Sequence, residues 1–306
     1  MLDAHQLNIF LVAAELENFS QAARHLNLSQ PSVSAHIQSL ERILGTKLFH
    51  RSGRHISLTE AGEALLPLAR EMVHLSIHIE ETMASLSGSV VGLLKLGCST
   101  AAGKYTLPRL VAHFRAKNPQ VQVHCSVMTR QNALNELLDG RIHLAITSAR
   151  EHSRQIEYRP FATDPVILIA PSDHPWAKRE QVEPEELLTE NFLLRERTAG
   201  TRGVLEEGLA KHGMHVDQLK TVMVIGNSEA LRTAVEEKIG VTFISRLVAA
   251  DSIQLGRIVE VKVANFDLRQ MLFIGRHVRR PATKAQTAFL EFVSDPANRS
   301  LVQPGG

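Results

Sequence analysis

The stretch from Ser20 to Gly45 constrains this chain more than any other. Before it, Leu7, Phe10, Leu11 and Ala14 mark one face of a helix, which Asn18-Phe19-Ser20 interrupts. Ser20 has the short hydroxyl side chain that caps a helix over residues 21–26. Leu28-Ser29 is a tight connection, and Ser29 can cap a following helix. Pro31 falls in the first turn of that helix, where its missing N–H costs nothing. Gly45 stops the helix after Leu44, because glycine enters the left-handed region without a Cβ clash. Two short helices joined by so brief a turn form a helix-turn-helix. Ala22 and Ala23 are small where the helices must approach, and Leu26, Val33, Ile37 and Leu40 are expected in the core.

Lys47-Leu48-Phe49-His50-Arg51 and His55-Ile56-Ser57-Leu58 alternate around a Ser52-Gly53-Arg54 tip, the pattern of a small hairpin. Lys47, Arg51 and Arg54 make it basic, with no acid between Glu41 and Glu60, although the whole chain carries a formal charge of only +2. Positive charge is therefore local, as a nucleic-acid surface requires. Thr59 then caps a helix expected over residues 60–87. Its apolar positions Ala61, Leu65, Leu68, Met72, Leu75, Ile79, Met83 and Leu86 recur mainly every four and three residues, a coiled-coil-like seam. Pro67 should bend this helix or loosen its first turns. The seam outlasts the core a domain this small can offer, so it is expected to pair with a second copy.

A small-residue stretch, LSGSVVG at 86–92, marks a linker. Beyond it, the apolar runs LLKLGC, VQVHCSV, HLAITSA, PVILIAP, NFLLRER, TVMVIGN, VTFIS and LRQMLFIGRH read as strands. They alternate with helical stretches at 106–117, 131–138, 203–211, 229–238 and 283–294. That alternation implies an α/β architecture with largely parallel sheets. Its length suggests two sub-domains, the chain crossing near 162–165 and returning near 266–270.

The segment FSQAARHLNLSQPSVSAHIQSLERILGTKLFHRSGRHISLTEAG resembles the LysR-type family of transcriptional regulators. The matching elements are Ala22-Ala23, Leu28-Ser29-Gln30-Pro31-Ser32-Val33-Ser34, Ile37, Leu40-Glu41, Leu44-Gly45, Leu48-Phe49, Arg51 and Leu58-Thr59-Glu60-Ala61-Gly62. The resemblance implies an all-α winged helix-turn-helix domain (1–59) and a long linker helix for dimerisation (60–89). An α/β periplasmic-binding-protein-like effector domain (90–306) follows, with sub-domain I at 90–162 and 267–306 and sub-domain II at 163–266. The implied function is a sequence-specific DNA-binding regulator modulated by a small anion between the two lobes, not an enzyme.

In this motif the second helix enters the major groove, which puts Gln30, Pro31, Ser32, Ser34 and His36 at the DNA. Gln30 can pair bidentately with adenine, and Arg51 and Arg54 suit phosphate or minor-groove contact. Ser29 is read as a cap only. Ala35 stands where the family often carries a longer polar side chain, which moves weight from direct base readout to DNA shape. The partners implied are promoter DNA with an imperfect palindrome, an anionic effector, and a second copy through the linker helix. The family commonly assembles further into tetramers, and RNA polymerase is left open as a partner.

The effector is expected at the C-terminal ends of strands, where helix N-termini offer free N–H groups. Ser99, Thr100, Thr129, Thr147 and Thr201 are placed there, with Arg202 adding charge; Arg130 and Arg197 are further candidate cations. For each hydroxyl taken alone, ordinary helix capping is an equal alternative. GCSTAAGKYTLPRL and RERTAGTRG look most like the branch that regulates carbon fixation and sulfur assimilation. That branch implies a phosphorylated or carboxylated metabolite, or an inorganic oxyanion.

Several classes are set aside. No Walker loop, G-x-S-x-G, H-E-x-x-H or Rossmann glycine pattern occurs in a strand–helix setting. No cofactor and no metal are expected: His74 and His78 lie i, i+4 apart, but no further ligands complete a site. Cys98 and Cys125 are read as buried packing residues rather than a redox pair, which suits a reducing cytoplasm. The N-terminus lacks the basic region of a signal peptide, and no uncharged run is long enough to cross a bilayer. A transporter's solute-binding protein is disfavoured by the helix-turn-helix, whereas a regulator answering to a protein instead of a ligand stays open.

Overall fold

The computed structural model describes residues 1–52, 55–84, 90–98, 102–151 and 153–302. Its first part packs α1 (Ala4–Leu16), α2 (Phe19–His25) and α3 (Gln30–Leu44) over a hairpin of β1 (Phe49–Ser52) and β2 (His55–Leu58). The buried face of α1 is Leu7, Ile9, Phe10 and Ala13; Leu11 and Ala14 are half-buried. Asn18, not Ser20, caps α2: its Oδ1 accepts from the Ser20 and Gln21 N–H groups at 2.9 and 3.0 Å. The longer amide side chain reaches both donors, so the helix begins two residues earlier and buries Phe19 against the Phe49 ring, 5.4 Å between centroids. Ser29 caps α3 through the Ser32 N–H at 3.2 Å, and Gly45 ends it at φ 70°.

Glu41 ties the hairpin to α3. Its buried carboxylate accepts from the Leu48 N–H at 3.0 Å and from Lys47 Nζ at 2.8 Å. Thr59 then starts α4 (Glu60–Ala84), accepting from the Gly62 N–H at 3.1 Å while donating to the Lys47 carbonyl at 2.6 Å. Gly62 permits this contact, because a Cβ there would lie 2.3 Å from the Leu48 carbonyl oxygen. Pro67 lies inside α4 without ending it. Ala61 and Leu65 face the core of the first part, whereas Leu68, Met72, Leu75, Ile79 and Met83 are exposed. Leu86 lies outside the described residues.

The second part begins with β3 (Gly92–Cys98), a π-helical turn at Ala102–Thr106, α5 (Leu107–Lys117), β4 (Val121–Val127), α6 (Arg130–Leu138) and β5 (Leu144–Thr147). A 16-residue strand, β6 (Ile156–Pro171), leads to β7 (Asn191–Arg195), α7 (Gly200–Lys211), β8 (Lys220–Ile225), α8 (Ser228–Glu236) and β9 (Thr242–Ser245). Then come α9 (Arg246–Gln254), β10 (Ile258–Val261), β11 (Leu268–His277), α10 (Lys284–Ser294) and α11 (Arg299–Val302). The main sheet runs β10-β6-β11-β5-β3-β4, with β9 also on β6.

The sheet is mixed rather than largely parallel. β3 is parallel to β4 and β5, and β7 to β8, but β11 is antiparallel to β5 and β6, and β6 to β9 and β10. The reason is the double passage between lobes: β6 leaves and β11 returns, so they run in opposite senses side by side. One core gathers Leu94, Phe114, Leu144, Leu272 and Phe289; another gathers Leu168, Phe192, Leu209, Phe243 and Leu268. α9, β10, α11 and the first half of β6 had no expectation attached. Cys98 is buried, and burial pushes its thiol up to about 12. Cys125, expected inside, is exposed because β4 is the edge of the sheet.

Candidate functional site

A cleft of about 240 Å³ opens between the two lobes, lined by the starts of α6, α7 and α8 and floored by Ser245 and Gln270. Thr129 caps α6 through the Asn132 N–H at 3.3 Å, and Asn227 caps α8 through the Ala230 N–H at 2.9 Å. α7 begins differently. Its cap position is Ala199, which has no side chain to accept; the Arg202 and Gly203 N–H groups donate to the Ala199 carbonyl at 3.1 and 3.2 Å, which leaves those of Gly200 and Thr201 for a ligand. Gly200 lets the lobes meet there: a Cβ would lie 2.3 Å from Ser148 Oγ and 2.8 Å from Gln270 Oε1.

Thr201 follows, buried, with an Oγ1 that has no hydrogen-bond partner among the described residues. An unpaired buried hydroxyl costs about 1–3 kcal/mol, so it favours an acceptor arriving in the cleft. Arg130 lines the opposite wall and makes no ion pair among the described residues. Arg195 is already engaged: it forks onto Glu196 at 2.8 Å twice and donates to Ser228 Oγ. The cleft therefore carries one compensated and one uncompensated guanidinium among the described residues. Lys104, on the π-helical turn of the first lobe, reaches Glu229 of the second at 3.2 Å and links the lobes.

Two expected contacts are turned away. Thr147 is fully buried and donates to the Ala149 carbonyl at 2.9 Å. Strand alternation sends the next residue, Ser148, into the cleft instead. Arg202 follows Thr201 by about 100° of helix rotation and leaves the cleft. Its Nε donates to Glu206 at 2.7 Å, and it lines a separate depression with Arg197, His215 and Asp217. Thr129 and Thr201 line the cleft; Ser99 and Thr100 lie outside the described residues. Sequence reasoning placed the Thr147-Ser148 segment here but chose Thr147 as the contact, and it missed Ser245 and Gln270. The signal for Gln270 was available: an uncharged polar residue inside an apolar strand run.

On the first part, Gln30 and Pro31 are exposed at the start of α3, while Ser32, Ser34 and His36 are half-buried. His36 sets its ring edge-on to His5, 5.4 Å away. Arg51 lies 5.3 Å over the Phe19 ring and 4.0 Å from Glu41, with 40% of its side chain exposed. It is thus pre-positioned rather than free. Arg54 lies outside the described residues. Among the described residues no helix is long and apolar enough to cross a membrane.

Known proteins match both parts. The family described as "Bacterial regulatory helix-turn-helix protein, lysR family" matches residues 4–63, and "LysR substrate binding domain" matches residues 87–297. A probable RuBisCO transcriptional regulator of Cyanophora paradoxa is 31% identical over 292 residues, covering 94% of this chain and 89% of that protein. The HTH-type transcriptional regulator YeiE of Escherichia coli is 31% identical over 293 residues, covering 96% and 97%. A full-length OxyR variant from Pseudomonas aeruginosa shares the fold, with a TM-score of 0.75 at 20% identity over 96% of this chain and 95% of that one. The relatives are named as regulators rather than enzymes, and the first belongs to the carbon-fixation branch that the effector-domain motifs resemble. The chain is a member of the LysR family of DNA-binding transcriptional regulators, with a helix-turn-helix head and an effector-binding domain.

Proposed function

We propose that this regulator reads promoter DNA through Gln30, Ser34 and the basic hairpin, and that a small anion in the interlobe cleft sets its activity. The single observation that carries the effector reading is the buried Thr201 Oγ1, without a partner among the described residues, at the uncapped start of α7, with Arg130 lining the same cleft. A dianion loses much hydration on entering so small a cleft and needs several donors at once. Open N–H groups, hydroxyls and one cation supply them. The regulatory domain of CcmR from Synechocystis PCC6803, solved in complex with 2-PG, shares the fold at a TM-score of 0.59 and 23% identity, covering 66% of this chain and 95% of that one. 2-PG is therefore the first compound to try, with sulfate as the inorganic comparison.

Residues 1–59, 60–89 and 90–306 act as head, linker and effector domain in this reading. The exposed seam Leu68, Met72, Leu75, Ile79 and Met83 pairs two chains and sets two heads on an imperfect palindrome in the cytoplasm. Tetramers through the effector domains and contact with RNA polymerase extend the same scheme. The anion acts by binding the closed lobe arrangement better than the open one, since a ligand shifts an equilibrium only by its differential affinity.

Calorimetric titration of 2-PG and sulfate into wild type and Arg130→Gln, with footprinting on the promoter, tests the cleft. Removing the cation should weaken the anion by about tenfold and leave ligand-free DNA binding intact. Equal affinity in both proteins sinks the placement. For the head, Gln30→Ala should lower preference for the cognate site. Arg51→Ala should weaken cognate and random DNA alike and reduce the salt slope by roughly one.

A further inference from the structure

A second cavity, of about 400 Å³, lies between α4 and the first lobe and shares no lining residue with the interlobe cleft. Its polar wall is rich in imidazole and guanidinium: His74 and His78 from α4, His143 before β5, His277 at the end of β11, and Arg279 and Arg280 after it. Glu71 is the one acid among the lining residues. Leu75, Leu137, Ile142 and Pro281 supply an apolar wall. A cavity of this size, mostly apolar with a few convergent polar groups, has the general make-up of a small-molecule site.

The hydrogen bonds around it show which polar capacity is left over. His143 Nδ1 accepts from the Lys95 N–H at 3.3 Å. Burial, helped by His74 and Lys95, pulls its pKa down to about 4, so the ring is neutral with its proton on Nε2. His277 Nδ1 accepts from the Arg279 N–H at 3.3 Å, and burial followed by Arg280 lowers its pKa too. Its neutral ring likewise carries the proton on Nε2. Arg280 donates Nη1 and Nη2 to the Leu137 and Leu138 carbonyls at 2.7 and 2.6 Å, closing the end of α6. Its Nε is buried and has no partner among the described residues, and the same holds for His78 Nδ1. Against the two imidazole N–H groups and Arg279 the lining sets one carboxylate, Glu71, and the buried unpaired atoms carry a standing cost.

We infer that this junction cavity is a second ligand site, for a small organic monoanion whose carboxylate meets the arginine and imidazole wall and whose short tail lies on Leu75, Leu137 and Ile142. An inorganic oxyanion leaves the apolar wall unused, and a neutral hydrocarbon leaves the donors unpaired. The position gives the site its consequence. Direct ties between α4 and the first lobe include Arg70 to Asp139 at 3.5 Å and the Leu93 N–H to Glu81 at 3.2 Å. A molecule filling the space between them stiffens the joint that carries the DNA-binding head.

The test is calorimetry on the full-length protein with hexanoate as probe and hexanamide as its uncharged counterpart, alongside amide hydrogen exchange in α4. Hexanoate should bind wild type saturably, at least about tenfold tighter than hexanamide, and slow exchange over residues 71–83. Arg279→Gln, at an exposed position that leaves the fold alone, should weaken hexanoate by about tenfold. His78→Phe, which fills part of the cavity, should abolish binding. Thr201→Val, in the interlobe cleft, should change nothing here, which separates failure of this site from failure of the cleft. Absence of hexanoate binding, equal binding of the amide, unchanged affinity in Arg279→Gln, or loss of binding in Thr201→Val overturns the proposal.

Discussion

Gln270 donates its side-chain amide to Asp164 Oδ2 at 2.6 Å where β11 runs beside β6, the two strands that join the lobes. Ser245, at the end of β9, donates to Oδ1 of the same carboxylate at 2.8 Å. A single buried acid therefore holds two residues of the cleft floor and three strands together.

Burial raises the Asp164 pKa above its usual 3.8, against the opposing hydrogen bonds from Gln270 and Ser245. The folded protein binds this proton more tightly than the unfolded chain. The resulting stability is fully present below 3.8 and is lost as pH rises through the folded value. Asp164→Asn keeps both partners in reach and removes that slope; thermal melts at stepped pH should show a flatter profile than wild type. Asp164→Leu strands two polar side chains and should cost about 1–3 kcal/mol for each. An unchanged slope in Asp164→Asn would mean that other groups set the pH dependence.

Glu41 has the opposite sign. Burial acts to raise its pKa, but the hydrogen bonds from Lys47 and the Leu48 N–H, with the charge of Arg51, outweigh it and hold the carboxyl below 4.5. Its contribution is present above 4.5 and is lost as pH falls through the lower folded value. Glu41→Gln should destabilise the head by about 1–3 kcal/mol at neutral pH and loosen the hairpin. Chemical denaturation of the isolated variant and wild type measures the first; slower promoter association at unchanged effector affinity reports the second.

Thr201→Val exchanges a buried hydroxyl, unpaired among the described residues, for a methyl of nearly the same shape. The ligand-free protein should be as stable as wild type or slightly more so. Anion affinity should drop roughly five- to hundredfold, the equivalent of about 1–3 kcal/mol. A variant that loses stability without ligand would show that the hydroxyl has a structural partner.

The seam on α4 predicts assembly. Leu68 and Ile79 are 62% and 55% exposed, a poor arrangement for a lone chain. Leu68→Asp combined with Ile79→Asp should halve the mass of the smallest assembly seen by light scattering and weaken palindromic sites far more than half-sites. An unchanged mass would place the interface elsewhere.

The sequence by itself determined the head and the linker helix. Ser29, Gly45 and Thr59 act on donors and backbone angles within a few residues of themselves, and the seam of α4 is written in spacing along one helix. Such interactions are local, so their outcome does not wait for the rest of the chain. Helix and strand positions beyond residue 90 were legible for the same reason, apart from α9, β10, α11 and the start of β6.

Only the tertiary structure decided strand sense and the walls of the two cavities. β6 and β11 are antiparallel because of a return path about a hundred residues long that periodicity does not encode. Ser148 rather than Thr147, and Thr201 rather than Arg202, face the interlobe cleft because burial picks one side of each element once the lobes have met. His74, His143 and His277 are far apart in sequence and look like surface residues one by one. Packing α4 on the first lobe brings them to one cavity and takes water from His143, and a long-range contact of that kind changes a side chain's chemistry without leaving a mark in its neighbours.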